Sequence, residues 1–123
     1  MTVGVEPLKL RAQFLRVAAA RRKFFTPGLL LQARAREADC TSVRVGYTAS
    51  RKVGNAVMRN RAKRRLRAAV GEVMPLHAAV GHDYVVIARR ATAGRSFPAL
   101  LQDLVTAMRK LKAWQEIFLH LSV

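Results

Sequence analysis

The chain of 123 residues suits one domain with one core, and a hydrophobic share of 51% excludes a disordered tail. A net charge of +16 with a pI of about 11.8 points to a polyanionic partner, either nucleic acid or an anionic membrane surface. The single Cys40 excludes an internal disulfide and a multi-cysteine zinc site and fits a reducing cytoplasm; no apolar run reaches the length of a spanning helix, and the N-terminus lacks a charged-then-apolar signal pattern.

Residues 1–7 show no pattern and are expected to be a loose lead-in to a single domain over 8–112, followed by an apolar extension over 113–123. From Leu8 the pattern is helical, with Leu10, Phe14 and Val17 on one face and Lys9, Arg11, Arg16 and Arg21 around the others. Arg21-Arg22-Lys23 and then Phe24-Phe25-Thr26-Pro27-Gly28 break that helix. Rings beside cations suit single-stranded nucleic acid, because bases stack on rings while phosphates meet the cations; the same rings also suit a core. Leu29 to Arg36 alternates as a strand, and Val43 to Ala49 as a second. The short link between them predicts an antiparallel hairpin, whose polar face would carry Gln32, Arg34, Arg44 and Thr48.

The densest charge lies in Ser50 to Arg67, SRKVGNAVMRNRAKRRLR, which holds Arg51, Lys52, Arg59, Arg61, Lys63, Arg64, Arg65 and Arg67 and no acidic residue. An apolar stripe of Met58, Ala62, Leu66, Ala69, Val70 and Val73 runs through it at helical spacing. The spacing predicts a helix over about 55–73, capped by Asn55, buried along one stripe and basic elsewhere. Ordinary solvated faces mix charge signs, and this one does not, so a phosphate-bearing partner is expected.

Pro75 and Gly81 are expected to bound a loop. Tyr84 to Ala88 reads as a central strand buried on both faces. Arg89, Arg90, Gly94 and Arg95 form a smaller basic loop, and Ser96 caps a helix with Pro98 in its first turn and a stripe of Phe97, Leu100, Leu101, Leu104, Val105, Met108 and Leu111. The apolar pattern continues through Trp114, Ile117, Phe118 and Leu121, which either pack on the domain or meet a partner. The fold class is therefore α/β: a two-layer α-β sandwich with a small mixed sheet, its last two strands parallel and joined through the basic helix.

Catalytic constellations are missing from the sequence. The seven acidic residues form no D-x-D, D-x-E or E-x-x-H cluster, so no metal site is expected. His77, His82 and His120 pair with no Cys or carboxylate at ligand spacing, and His82 beside Asp83 reads as a polar pair at a strand edge. No Walker-type phosphate loop occurs, and Ser50 and Ser96 have no partner base.

The string Val45-Gly46, Ser50-Arg51-Lys52-Val53-Gly54-Asn55-Ala56-Val57, Arg59-Asn60-Arg61, Lys63-Arg64 and Arg67 closely resembles the signature of the bacterial ribonuclease P protein subunit. The opening Leu8-Lys9, the Phe14 and Val17 pair, Thr26-Pro27 and Ala88-Arg89 also look like that family, so the resemblance covers about residues 8–111. It implies an α/β sandwich with a left-handed βαβ crossover, against the right-handed default. It implies no catalytic residue in the chain: the RNA subunit holds Mg²⁺ and cuts the 5′ leader from precursor tRNA, while the protein binds no cofactor itself. The implied partners are the ribonuclease P RNA and precursor tRNA, with no membrane and no required protein partner, and the implied location is the cytoplasm.

Carried over by residue, the catalytic-RNA contacts would be Arg51, Lys52, Asn55, Arg59, Asn60, Arg61, Lys63, Arg64 and Arg67. The leader cleft would use Lys9, Phe14, Arg16, Arg34, Arg44 and Arg89. Stacking is tolerant of sequence, as a subunit serving many leaders requires. Where family members often carry a second aromatic, one turn after the first-helix Phe, this chain has Ala18; Phe24 or Phe25 are the rings at hand to replace it. Composition alone fits a structural, ribosomal-type RNA-binding protein equally well. A helix-turn-helix DNA reader fits poorly, because no second short helix adjoins the basic one.

Overall fold

The computed structural model describes residues 2–37 and 40–116. Its elements are β1 (Val5–Pro7), α1 (Arg11–Ala19), β2 (Lys23–Phe25), β3 (Leu29–Ala35), β4 (Val43–Thr48), a 3₁₀ turn (Arg51–Val53), α2 (Ala56–His77), β5 (His82–Ala88) and α3 (Phe97–Lys110). The strands form one five-stranded mixed sheet in the order β1-β4-β5-β3-β2. The apolar run of β5 takes the central place that its composition requires, parallel to β4 on one side and antiparallel to β3 on the other.

Alternation along the strands divides the sheet into two faces. One face carries Leu29, Leu31, Ala33, Val43, Val45, Tyr84, Val86 and Ala88, which form the main core with Ala62, Leu66, Ala69, Val70, Val73 and Met74 of α2 and Leu104, Ala107 and Met108 of α3. The opposite face is only partly covered. There Leu8, Val17 and Val85 form a second small cluster, with Phe14 and Ile87 packed against it. Helix α1 thus lies across the second face and leaves open sheet on either side.

Local chemistry explains the helix ends. The Gln13 Oε1 accepts from the backbone N–H groups of Lys9 and Leu10, both at 3.0 Å, and so starts α1 without a side-chain cap at Leu10. Asn55 caps α2 as expected, its Oδ1 accepting from the Met58 N–H at 2.9 Å. The Ser96 hydroxyl accepts from the Ala99 N–H at 3.3 Å and starts α3, with Pro98 in the first turn.

Several expectations are corrected. The predicted hairpin of β3 with β4 does not form, because β5 inserts between them; the hairpin of this sheet is β2 with β3. Its turn is closed by Thr26, whose N–H and hydroxyl both donate to Leu29 O at 2.8 Å. Phe24-Phe25, read as a break, is therefore a strand. The lead-in is not loose: Val5, Glu6 and Pro7 pair with Val43, Arg44 and Val45, and Val3 N–H donates to Pro75 O at 2.7 Å. Helix α2 runs past Pro75 to His77, since a proline in the last turn forfeits only one ladder bond. Met58 is 38% exposed, so the buried stripe of α2 begins at Ala62.

The chain after α3 turns back on the end of α2. Ala113 is fully buried, and Trp114 stacks on His77 with centroids 3.9 Å apart while the Arg109 guanidinium lies 4.6 Å from the Trp114 ring centroid. Ile117, Phe118 and Leu121 of the predicted apolar continuation lie outside the described residues. Tyr84 holds this closure from inside the core: its hydroxyl donates to Ala113 O at 2.7 Å and accepts from Ala79 N–H at 3.0 Å. Burial pushes the Tyr84 phenol up to about 12. Replacing it with phenylalanine leaves a buried carbonyl and a part-buried N–H without their partner. Tyr84→Phe is expected to lose about 1–3 kcal/mol in urea unfolding, with the denaturant slope unchanged.

Candidate nucleic-acid interface

Two surfaces concentrate cations, one on α2 and one on the open face of the sheet. On α2 and the turn before it, Arg51, Lys52, Asn55, Asn60, Arg61, Arg64 and Arg67 are exposed, while Arg59 and Lys63 are partly buried. None of these cations lies within 4.0 Å of a carboxylate among the described residues. Two are held by other means. The Arg59 Nη1 donates to Gly54 O at 3.1 Å, and the Arg67 guanidinium lies 5.2 Å from the Tyr47 ring centroid. Burial pushes the Tyr47 phenol up to about 12, with Arg67 opposing the shift. The side-chain oxygen of Asn55 is occupied by its capping role, which leaves its amide NH₂ as the group available to a partner.

Arg65, in the middle of the same basic run, does something different. Its Nη1 donates to Thr92 O at 3.3 Å and Ala93 O at 2.8 Å, and its Nη2 donates to Arg95 O. It ties α2 to the loop that follows β5. Helical spacing puts Arg65 at the edge of the apolar stripe, but nothing in the local sequence names the carbonyls it reaches.

Strand register sets out the open face in three rows. Arg44, Asp83 and Arg34 form the first, Gly46, Val85, Gln32 and Lys23 the second, and Thr48, Ile87, Leu30 and Phe25 the third. The Phe14 ring lies directly on Gly46, where a Cβ would collide with it, so glycine here is what lets α1 sit down over the middle row. Beyond the first row, Arg16, Arg34, Arg36, Glu37, Cys40 and Arg44 line a hollow of about 400 Å³. Beyond the third row, a groove of about 640 Å³ is lined by Phe25, Leu30, Ile87, Lys52, Arg89 and Arg90 among others. The Arg89 Nη1 is fixed on Thr26 O at 2.6 Å, and Arg90 Nε on Lys52 O at 3.0 Å.

The expected cleft residues are thus divided. Arg16, Arg34 and Arg44 share the hollow, Arg89 lies in the groove with Lys52, Phe14 stands between them, and Lys9 is exposed at the entry to α1. Arg44 is not a free cation. Its Nε and Nη2 bond Asp83 Oδ1 and Oδ2 at 2.8 and 2.7 Å, and Arg36 bonds the same carboxylate while reaching Ser42 O at 2.7 Å. Burial opposes the charge on Asp83, but the hydrogen bonds from Arg44 and Arg36 outweigh it and hold this carboxyl below the usual carboxylate range. The Asp83 bond in turn raises Arg44. The polar strand-edge pair expected for His82 and Asp83 is corrected: Asp83 is 1% exposed and paired with two arginines, and His82 accompanies Val80 O at 3.1 Å instead.

Sequence reading missed Lys23 and left Phe25 as one of two possible rings. It could not pair Phe25 with Leu30 because the strand carrying Phe25 is three residues long and shows no period. Among the described residues no three His, Cys, Asp or Glu side chains lie together as metal ligands, and no helix is long and apolar enough to cross a membrane.

The Ribonuclease P family model matches residues 5–112. The ribonuclease P protein component of Paramagnetospirillum magneticum is 52% identical over 119 residues, covering 94% of this chain and 90% of that protein. The corresponding protein of Ruegeria pomeroyi is 50% identical over 112 residues, covering 89% of each. Among solved structures, the RNase P protein from Thermotoga maritima superposes with a TM-score of 0.69 at 25% identity, covering 82% of this chain and 93% of that one.

The Asp83 cluster makes the fold pH-dependent in one direction. A carboxyl whose folded value is depressed stabilises the fold above its unfolded value of about 4, and that contribution is lost as pH falls through the lower folded value. The unfolding free energy of Asp83→Asn is expected to fall short of wild type most at pH 6, with the gap closing below about pH 4. Urea titrations at a series of pH values check this.

Proposed function

The chain belongs to the ribonuclease P protein family, and from that premise we propose that it binds the RNA subunit of ribonuclease P together with the single-stranded 5′ leader of precursor tRNA. In this reading it promotes endonucleolytic removal of the leader in the bacterial cytoplasm and contributes no catalytic residue. The RNA subunit holds the Mg²⁺ ions and performs the cleavage.

The observation that carries the proposal is the separation of two cationic surfaces. Helix α2 spends one stripe on the core and turns Arg61, Arg64 and Arg67 outward without carboxylate partners among the described residues. Apart from the Arg67 contact with the Tyr47 ring, folding gains nothing from those charges, whereas a folded RNA gains by counterion release at each phosphate neutralised. Arginine also grips phosphate in a bidentate fashion, which fixes the register of a large partner. The second surface differs in kind: it combines apolar floor, exposed ring and cations in an open groove, the combination that suits an extended single strand. A double-stranded partner would have no use for the ring.

Both surfaces are needed for the proposed effect. The α2 face supplies affinity for the RNA subunit, and the groove supplies affinity only for a substrate that still carries its leader. Precursor is then held more tightly than product.

Mixing the protein with a bacterial ribonuclease P RNA and a precursor tRNA at moderate Mg²⁺ and near-physiological salt is expected to trim the leader much faster than the RNA alone, with the protein alone inactive. Salt-sensitive binding of the RNA without acceleration would instead favour a structural, ribosomal-type RNA binder. The double substitution Arg61→Ala/Arg64→Ala is expected to weaken assembly with the RNA subunit and to reduce the slope of log K against log salt by about two. Phe14→Ala is expected to weaken precursor binding more than mature tRNA binding; equal losses would remove Phe14 from the leader cleft.

A further inference from the structure

We propose that Phe25 is the ring on which a base of the bound leader stacks. The inference rests on the leader reading of the open face and names the contact within it.

Phe24 and Phe25 are adjacent, but the pleat sends them to opposite faces. Phe24 pairs with Leu31 and packs against the main core. Phe25 pairs with Leu30 and remains 55% exposed. Burial does not explain keeping so large a ring in water at the edge of the sheet. Its surroundings do give it a use. Phe25 lines the groove of about 640 Å³, whose apolar floor is Leu30 and Ile87. The Lys23 Nζ lies 5.8 Å and the Arg89 guanidinium 5.5 Å from its ring centroid. Arg89 is anchored on Thr26 O, so it cannot follow a ligand and instead defines one wall. Lys52 lies across the groove with its backbone carbonyl held by Arg90.

This is the arrangement a single nucleotide requires: a flat apolar platform, an apolar floor, and cations within reach of the flanking phosphates. It is also indifferent to base identity, since every base has a π-face. Phe14, by contrast, is half-buried with its ring against Gly46, so less of it is free to receive a base. The chain thus carries its more exposed ring on β2 and not on the first helix, and a base stacking there would share that ring with Lys23 and Arg89.

The test uses the full protein assembled with a bacterial ribonuclease P RNA. Binding of a precursor tRNA and of the matching mature tRNA is measured for wild type and for Phe25→Ala, Phe25→Leu and Phe25→Tyr, with 2-aminopurine placed at successive leader positions. The ratio of precursor to mature affinity is expected to fall about 5- to 150-fold in the Ala variant, the range for one stacked base, and to stay within about threefold of wild type in the Tyr variant. Leucine keeps an apolar edge on β2 but offers no π-face, so Phe25→Leu is expected to fall with Ala, and quenching of one leader 2-aminopurine is expected to be relieved in both. If Phe25→Leu keeps the wild-type ratio, the ring is only an apolar cover and the proposal is overturned while the leader reading stands. If wild type itself shows no preference for precursor over mature tRNA, the leader reading falls and this contact falls with it.

Discussion

The central strand β5 has to be paired on both edges and covered on both faces. Tyr84, Val85 and Val86 are buried there, with the one hydroxyl among them bonded inside the protein, and the contacts on either side of β5 follow from that. Its Tyr84, Val86 and Ala88 face calls for α2 and α3, and its Val85 and Ile87 face calls for α1. Because β4 and β5 are parallel neighbours, the chain between them must cross from one end of the sheet to the other, and α2 is that crossing. A crossing helix needs only one buried stripe. Most of its remaining surface, the Arg65 tie to the loop after β5 aside, is free of a folding requirement, and there the chain places its densest charge. The second face needs only partial cover, since one small cluster closes over Val85. The open sheet that remains becomes the groove and the hollow.

Charge bookkeeping separates structural cations from available ones. The chain has 23 Lys and Arg against 7 Asp and Glu. Asp83 engages both Arg36 and Arg44, and Asp103 engages Arg95; both acids are nearly fully buried, at 1% and 6% exposure. Such pairs are costly to break, because removal of either partner strands a buried charge. These two acids therefore sit where they hold the frame together, and the one acid on α2, the exposed Glu72, follows the basic run and does not interrupt it. At physiological ionic strength repulsion among exposed cations is screened over about 8 Å, so the fold tolerates the excess. An RNA that displaces those counterions gains what the fold does not use.

What the sequence makes legible follows from the length of each signal. Helix α2 spans 22 residues, and its stripe, its Asn55 cap and its basic faces are all readable; so are the central strand and the Ser96 start of α3. Strands β1 and β2 have three residues each, too few to show a period of two, and one reads as a tail and the other as a break. The hairpin was misplaced for a related reason. Sequence proximity favours pairing β3 with β4, and nothing local announces that β5 will separate them. Among candidate site residues, the exposure of Arg61, Arg64 and Arg67 on α2 is readable from pattern, whereas the surroundings of Phe25 and Asp83 depend on which strand lies alongside.

Arg65 shows where pattern reading ends. It belongs to the same basic run as Arg64, yet its guanidinium is committed to three backbone carbonyls of the loop after β5. That loop begins with Arg89, which borders the groove, and with Arg90, which bonds the carbonyl of Lys52 in the turn leading into α2. Thr92 closes the circuit, its hydroxyl donating to Gly28 O at 2.6 Å beside the turn that carries Phe25 into β3. Four segments distant in sequence are thus tied at the backbone, and each carries a side chain of one cationic surface or the other. Flexible ties would let two negatively charged RNAs choose the spacing between their sites. On the proposed function the protein would set it, so affinity gained on α2 would be delivered to the groove as orientation of the leader and not dissipated in ordering a loop.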